Sequence, residues 1–453
     1  MKVNIITLGC SKNTVDSENV AGQLLRQHHQ VYFDRMVNDC DVVIVNTCGF
    51  ICDAKQESVN TLLEQIDAKR RFNRRHLADG RQRRLIAVGC LVQRYRDELR
   101  SEMPEVDDWF GVHQWKELIE KTKLIIDNSS IRNYQLSTLN SQLFRCLSTP
   151  KHYAYLKIAE GCNRSCAYCA IPLIRGAYVS RPIGELVEEA RQLVANGVHE
   201  LLVIAQDTTY YGLDIYGQRR LAELLERLAT ESGARWIRLH YTYPADFPTD
   251  VLDVMRRHRN ICNYIDIPLQ HINSRLLRTM RRGINRKGTL ALIRQIRQQL
   301  PSVCLRTTLI VGFPGESRQE FEELKDFVRE ARFDRMGCFA YSPEEGTPAE
   351  PLGDPVDDEE KQRRVSELMA VQEAVSQQRN ESLVGQTLTI LVDRREGDFY
   401  IGRTEYDSPE IDDEVLIDRN KLPRHTLRTG HFYPVRITAA LENDLYGEIV
   451  MSD

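Results

Sequence analysis

Short apolar runs alternate along the chain with longer stretches whose apolar residues recur every three or four positions, and the scale of that alternation changes twice. Up to about residue 120 the runs Val3–Leu8, Asp41–Val45, Arg84–Val88 and Trp109–Val112 predict strands, while Thr14–Gln27, Lys55–Phe72 and Gln93–Glu102 carry a helical period. Such alternation predicts a doubly wound parallel sheet. Ser, Asn and Thr dominate Asp127–Pro150 without a clear period, which predicts a linker. From Lys151 strand candidates recur at Tyr155–Ala159, Leu201–Gln206, Ile237–Tyr243, Tyr264–Leu269, Leu305–Val311 and Arg335–Tyr341, separated by helical patterns. Six βα units predict a partial (βα)6 barrel, an incomplete relative of the eightfold one. A polar helix over Asp357–Leu383 then leads into Val384–Asp453, whose short alternating runs broken by Gly, Asp and Asn predict a small antiparallel β-barrel. The expected fold class is α/β with an all-β C-terminal module, divided at 1–126, 127–150 (linker), 151–382 and 383–453.

A chain of 453 residues is too long for one ordinary core, which agrees with that division. No apolar run reaches the length of a membrane span, and the first residues, Met-Lys-Val-Asn-Ile-Ile-Thr-Leu, suit a first strand better than a secretion signal. Twelve cysteines without such a signal suggest metal or redox chemistry in a reducing compartment, so a cytoplasmic location is expected, with no membrane partner. The formal net charge of −4 excludes little, but from Leu383 onward 14 acidic residues face 8 basic ones. That acidic module should attract a basic partner and repel phosphate backbones. Asp407, Glu410, Asp412, Asp413 and Glu414 are expected to form the docking face, unless the run is only a solvated hairpin.

Candidate chemistry is concentrated in two sets of cysteines. Cys162, Cys166 and Cys169 form a Cys-x3-Cys-x2-Cys loop. Three thiolates on one short turn can hold three irons of a cubane and leave the fourth open, where ordinary electron-transfer clusters use four cysteines. A zinc knuckle is the alternative, but such sites pair two Cys-x2-Cys units or add histidines, and no histidine lies within nine residues of this loop. Cys10, Cys48 and Cys90 each lie just past a predicted strand, with Gly or Thr beside them. Ligands bind at the carboxyl edge of open α/β sheets, so three thiols could converge there; the alternative is that they are small core hydrophobes. Cys52 is a possible substitute ligand, expected rather to pack in the following helix, and Cys40, Cys146, Cys262, Cys304 and Cys338 are expected to be structural. The basic run Lys69–Arg84 suits a solvated helix face better than contact with RNA.

The 162–169 loop resembles the S-adenosylmethionine-cleaving loop of radical SAM enzymes. With both triads in view, the whole chain resembles the methylthiotransferases of that superfamily, and within them the ribosomal-protein aspartate branch. The resemblance is carried by Leu8-Gly-Cys-Ser-Lys-Asn-Thr-Val-Asp-Ser-Glu18, Asn46-Thr-Cys-Gly-Phe-Ile51, Glu160-Gly-Cys-Asn-Arg-Ser-Cys-Ala-Tyr-Cys169, Ala205-Gln-Asp-Thr208, Asp266-Ile-Pro-Leu-Gln-His271, Gly312-Phe-Pro-Gly-Glu316 and Cys338-Phe-Ala-Tyr-Ser-Pro343. The gap from Cys48 to Cys90 is longer than is usual for the family. The resemblance implies an N-terminal cluster domain, a radical SAM core and a TRAM barrel. It also implies two 4Fe-4S clusters, on Cys10/Cys48/Cys90 and on Cys162/Cys166/Cys169, together with S-adenosylmethionine. The reaction implied is methylthiolation of an aspartate β-carbon in the twelfth protein of the small ribosomal subunit, a basic partner, with an electron donor and a sulfur donor. The aspartate C–H is unactivated, so a radical must remove its hydrogen, and the cofactor carries that chemistry. Tyr168, Gln206, Asp207, Gln270, Thr308 and Gly312 are the candidate cofactor contacts, although turn geometry or helix capping would account for each. A tRNA-adenosine methylthiotransferase and a nonenzymic iron–sulfur scaffold are the competing readings; the acidic barrel speaks against the first and a full radical SAM core against the second.

Overall fold

Strands β1 (Lys2–Thr7), β3 (Val42–Thr47) and β4 (Arg84–Gly89) are near-continuous apolar runs, and their burial on both faces explains why. They form the middle of a five-stranded, all-parallel sheet of order β2-β1-β3-β4-β5, with β2 (Gln30–Phe33) and β5 (Asp108–Phe110) at its edges. The computed structural model that shows this describes residues 1–34, 39–127, 145–422, 427–441 and 443–450. Alternate strand residues serve opposite faces. Val43, Val45, Leu85 and Ala87 pack with Leu62, Ile66, Leu91 and Leu99 from helices Cys52–Arg75 and Cys90–Glu102. Val3, Ile5, Val42, Ile44 and Ile86 pack with Val20, Ala21, Leu24 and Leu118 from helices Ser11–Arg26 and Trp115–Asp127. Helices on both faces make the sheet doubly wound, as its pattern predicted.

Residues 128–144 of the expected linker lie outside the described residues. Its last part is tied to helix Ser11–Arg26: Glu18, fully buried, accepts hydrogen bonds from Arg145 Nε (2.7 Å) and from the backbone N–H of Ser148 (2.7 Å). The basic run Lys69–Arg84 lies at the amino end of the strands, the end away from Cys10, Cys48 and Cys90. There Lys69 and Arg84 pair with Asp107, and Arg81 pairs with Asp39 and Asp41. Arg83 donates to the Cys40 carbonyl over the Phe72 ring.

The second compact unit holds six parallel strands, β6 (Tyr153–Lys157), β9 (Glu200–Ile204), β10 (Trp236–Leu239), β11 (Ile261–Asp266), β12 (Cys304–Val311) and β13 (Arg335–Ala340), adjacent in chain order and open at both edges. Two-residue strands β7 (Ala159–Glu160) and β8 (Val179–Ser180) interrupt the series. The helices between the strands include Ile183–Ala195, Leu221–Glu231, Asp250–Arg257, Arg286–Gln299 and Arg318–Ala331. Asp357 caps the long helix Asp358–Glu381 by accepting from Glu360 N–H. Strands β14 (Thr387–Glu396), β15 (Phe399–Arg403), β16 (Glu414–Asp418), β17 (Phe432–Ala440) and β18 (Asp444–Ile449) close a barrel in the order β14-β15-β16-β18-β17. One pair, β16–β18, is parallel. Alternating directions cannot be kept around a ring of five, so the expected all-antiparallel barrel must contain such a pair.

Three acids of the expected docking face, Asp407, Asp412 and Asp413, point inward instead. Asp407 is bound by the guanidinium of Arg335 (2.6 Å), which also reaches Asp413 (3.2 Å). Asp412 takes hydrogen bonds from Arg306 (3.2 Å) and the Tyr264 hydroxyl (2.8 Å). Glu410, an exposed residue, accepts from Tyr153 and Tyr155, and Glu414 pairs with Arg394 at the barrel's surface. The carboxylates of Asp407 and Asp412 are 1% exposed, and burial pushes Asp413 up to about 7 against the pull of Arg335. Asp407, Asp412 and Asp413 thus balance arginines of the six-stranded core. Sequence shows that charges are clustered and not which way they point. Arg238 and Arg403 share Glu200 in the same manner, all three nearly inaccessible. Removing one partner of a buried pair leaves an uncompensated charge, at a cost of about 3–5 kcal/mol. Asp407→Ala is therefore expected to lower the Tm by roughly 5–10 °C; a solvent-facing docking charge would change stability by less than about 0.5 kcal/mol.

Candidate metal and cofactor centres

In the N-terminal unit, Cys10, Cys48 and Cys90 follow β1, β3 and β4, three strands adjacent in one sheet, so parallel pairing brings their carboxyl ends side by side. Two glycines permit the approach. Gly9 has φ +90°, and a Cβ there would fall 2.7 Å from Cys48 Sγ. Gly89 has φ +100°, and its Cβ would fall 2.4 Å from Asn46 Oδ1. A side chain at either would close the space between strand ends. Cys10 caps helix Ser11–Arg26, its carbonyl accepting from Thr14 N–H, and Cys90 opens helix Cys90–Glu102. Ser58 bonds both the N–H (2.9 Å) and the carbonyl (3.0 Å) of Cys48. Asn13 Nδ2 donates to the carbonyls of Leu8 (2.7 Å) and Thr47 (3.2 Å), and Asn46 Nδ2 donates to Asn13 O and Ser17 Oγ. The polar residues of both motifs thus pin the turns that carry the thiols.

Burial pushes the Cys48 thiol up and the Cys90 thiol up to about 12, although Arg175 pulls the latter down. Thiols in such surroundings stay protonated unless a cation takes the place of the proton, which suits metal ligation better than nucleophilic catalysis. Arg175, which the sequence reading passed over, belongs to this same unit, along with Glu160–Asn163 and Ala170–Ala177. Its guanidinium, 1% exposed, reaches Asp16 (3.1 Å), Glu160 (2.8 Å), Asn13 Oδ1 (2.5 Å) and Cys90 Sγ (3.5 Å). Cys162 is fixed nearby through its N–H, which donates to Gly176 O (3.1 Å). Cys52 starts helix Cys52–Arg75 but is exposed, against the expectation that it packs there. Cys40, Cys262 and Cys304 are buried as expected of structural cysteines, and Cys146 and Cys338 are partly so.

In the second unit, the rest of the 162–169 loop lies against residues at the carboxyl ends of the core strands. Ala167 N–H donates to Met280 O (2.9 Å) and Ala167 O accepts from Ala349 N–H (2.8 Å). Cys166 is buried, with its sulfur 3.3 Å from Arg282 Nη1 and 3.6 Å from the Tyr243 hydroxyl. Arg164 stacks 3.9 Å from the Tyr243 ring centre and pairs with Asp207 (2.7 Å). Asp207 also caps the turn Thr208–Tyr210 through Thr209 N–H and Oγ1, so both of its oxygens are engaged. Tyr168, half-buried, accepts from Arg282 at its hydroxyl (3.2 Å), and burial raises its phenol. Gln206 follows β9 and has no hydrogen-bond partner among the described residues.

Gln270 has φ +72°; its N–H donates to Thr308 O (2.9 Å) and its carbonyl accepts from Ile310 N–H (2.8 Å), which extends the β11–β12 pairing. Thr308 is half-buried on β12. Gly312, just past β12, has φ +72°, and a Cβ there would fall 2.5 Å from Lys361 Cγ, so a side chain of this protein already needs that space. Its N–H donates to Glu316 (2.5 Å), which also binds His271 (3.0 Å) and Arg364 (2.6 Å), all buried. His271 closes one of the motifs that carry the resemblance, whereas Arg364 carried no signal in the sequence beyond its type.

Among the described residues no three Cys, His, Asp or Glu side chains surround a point that one metal ion would occupy. In a cubane each thiolate takes its own iron, so a ligand set needs three thiols around a larger space. The donor chemistry, all cysteine sulfur, and the glycine-lined turns fit such a group.

Residues 156–328 match the family model of the radical SAM superfamily, residues 2–111 that of the uncharacterized protein family UPF0004, and residues 384–450 that of the TRAM domain. Similar proteins include those named ribosomal protein uS12 methylthiotransferase RimO from Flavobacterium johnsoniae and Bacteroides thetaiotaomicron. They are 50% and 47% identical, and each match spans 99% of this chain and 98% of the relative. The protein of the same name from Porphyromonas gingivalis is 49% identical over 99% of both chains. Among solved structures, the radical S-adenosylmethionine methyltransferase TsrM from Kitasatospora setae superposes with a TM-score of 0.54 at 13% identity, over 83% of this chain and 89% of that one. The cobalamin-dependent S-adenosylmethionine radical enzyme OxsB gives 0.52 at 10% identity, over 81% and 56%. At these identities the likeness is one of fold.

Proposed function

The chain belongs to the RimO family of ribosomal protein uS12 methylthiotransferases, and we propose that it adds a methylthio group to the β-carbon of an aspartate in that small-subunit protein. The observation that carries this reading is identity of 47–50% over 99% of the chain, which takes in both cysteine triads. In this reading Cys162, Cys166 and Cys169 hold the 4Fe-4S cluster that binds S-adenosylmethionine, and Cys10, Cys48 and Cys90 hold a second. When bound, these groups supply the electron, the hydrogen-abstracting radical and the methylthio sulfur. The chain's own part is positional. Asn13, Asn46 and Ser58 set the turns that present one triad; Arg164, Asp207 and Tyr243 brace the loop of the other. Tyr168, Gln206, Gln270 and Thr308 remain the candidates for direct contact with S-adenosylmethionine. Gly312 and Asp207 act through the fold, because Lys361 fills the space at the first and protein donors use both oxygens of the second.

In this reading an external reductant and a sulfur donor complete the reaction, and a ribosomal-protein substrate supports a cytoplasmic location. Among the described residues no helix is long and apolar enough to cross a membrane. The charge argument against a tRNA substrate is weakened, since Asp407, Asp412 and Asp413 are turned onto the core; the preference rests on the relatives. Intact-mass analysis of uS12 and of tRNA from cells with and without the gene separates the two. We expect uS12 alone to lose a methylthio group when the gene is deleted; loss from tRNA instead would overturn the reading.

A further inference from the structure

Among the described residues of the second unit five arginines are buried: Arg238, Arg282, Arg335, Arg364 and Arg403. Four are matched by carboxylates: Arg238 by Glu200, Arg335 by Asp407 and Asp413, Arg364 by Glu316 and Glu360, and Arg403 by Glu200 and Asp393. Arg282 is not. It follows helix Ser274–Thr279 and is 4% exposed. Its nitrogens reach Cys166 Sγ (3.3 Å), the Tyr168 hydroxyl (3.2 Å) and Pro268 O (2.5 Å), and its guanidinium lies 4.3 Å from the Tyr243 ring centre. Among the described residues no Asp or Glu pairs with it, and its Nε is buried with no acceptor. Tyr243 holds the residue in place by donating its hydroxyl to Arg282 O (2.9 Å).

A buried guanidinium without an anion is costly, because its hydration is lost and nothing replaces it. The group it is aimed at is a cysteine sulfur of the 162–169 motif. We propose that Arg282 is a positioning residue for the 4Fe-4S cluster of that motif: it donates an N–H to the sulfur of Cys166 and supplies the positive charge that offsets the cluster's negative one. The inference rests on the reading of Cys162, Cys166 and Cys169 as cluster ligands. Three thiolates on a cubane of four irons make the assembly anionic, and one-electron reduction adds a further negative charge. A fixed buried cation favours the more negative state, so Arg282 raises the reduction potential and makes the cluster easier to reduce. Arginine suits the task because its fork can bond sulfur, phenol and carbonyl together while keeping its charge.

The test uses the full-length chain carrying Cys10→Ala, Cys48→Ala and Cys90→Ala, so that a single cluster is observed. Arg282→Gln and Arg282→Lys are added to that parent, each is reconstituted anaerobically, and iron content and a redox titration followed by electron paramagnetic resonance are measured. Arg282→Gln is expected to lower the ratio of reduced to oxidised cluster at fixed potential at least tenfold, about 59 mV for a one-electron couple. Arg282→Lys, which keeps the charge, should stay close to the parent. An Arg282→Gln protein with full iron and the parent's potential would overturn the proposal. Should the Gln variant not fold, the Lys variant decides, since a tenfold fall there would overturn the charge role while a parent-like potential supports it. A parent without iron overturns the ligand reading itself, and the proposal with it, and is distinguishable because no cluster signal exists to shift.

Discussion

Replacing Cys162, Cys166 and Cys169 together by alanine is expected to take the reconstituted protein from about eight irons to about four and to abolish formation of 5′-deoxyadenosine. The loss should be complete rather than graded. A three-cysteine motif leaves one iron free for S-adenosylmethionine, and without the motif there is no place for the electron that cleaves it. The remaining four irons would report that the other triad still folds and binds. That independence is plausible on structural grounds, because Cys10, Cys48 and Cys90 are set by a sheet complete within its own unit. The measurement is iron and sulfide content beside chromatographic quantification of 5′-deoxyadenosine under reductant. Continued 5′-deoxyadenosine formation by the triple variant would sink the assignment of this motif.

The two triads were unequally legible in the sequence. The 162–169 motif could be read from spacing alone, since all three thiols sit on one loop. The other triad could be read only after the strands were recognised, because it is parallel pairing that brings residues 10, 48 and 90 to one edge. The strands were readable because β1, β3 and β4 are largely buried and so carry short apolar runs. Strand β2 escaped because Gln30–Phe33 is a short, half-exposed edge strand with little pattern.

What the sequence concealed was mostly the direction of charge. Asp407, Asp412 and Asp413 read as a surface patch, yet they face Arg335 and Arg306 inside the protein. Arg175 and Arg282 carried no signal in the sequence, yet each is buried against a cysteine sulfur. No local pattern distinguishes an arginine bound for solvent from one whose partner lies far away in sequence. Gly312 shows the same limit. Nothing in its local sequence shows that a Cβ there would meet Lys361.

Single replacements in the other triad should separate the two chemistries. Cys10→Ala, Cys48→Ala and Cys90→Ala are each expected to leave reductive cleavage of S-adenosylmethionine largely intact while abolishing methylthio transfer to uS12. The residues at issue lie outside the motif proposed to bind and cleave the cofactor. Cys90→Ala is the most informative, since its thiol is the most deeply buried of the three and is met by Arg175. Trimming one buried sulfur is a small packing loss, on the order of 1 kcal/mol, so the protein should still fold. Cys52→Ala is the matched control. It lies four residues beyond Cys48, but its side chain is exposed at the start of its helix, and its removal should change neither activity. The assays are 5′-deoxyadenosine formation and mass analysis of uS12, run on the same preparation. Full methylthio product from Cys90→Ala would remove that residue from the ligand set, and loss of product from Cys52→Ala would put Cys52 in its place.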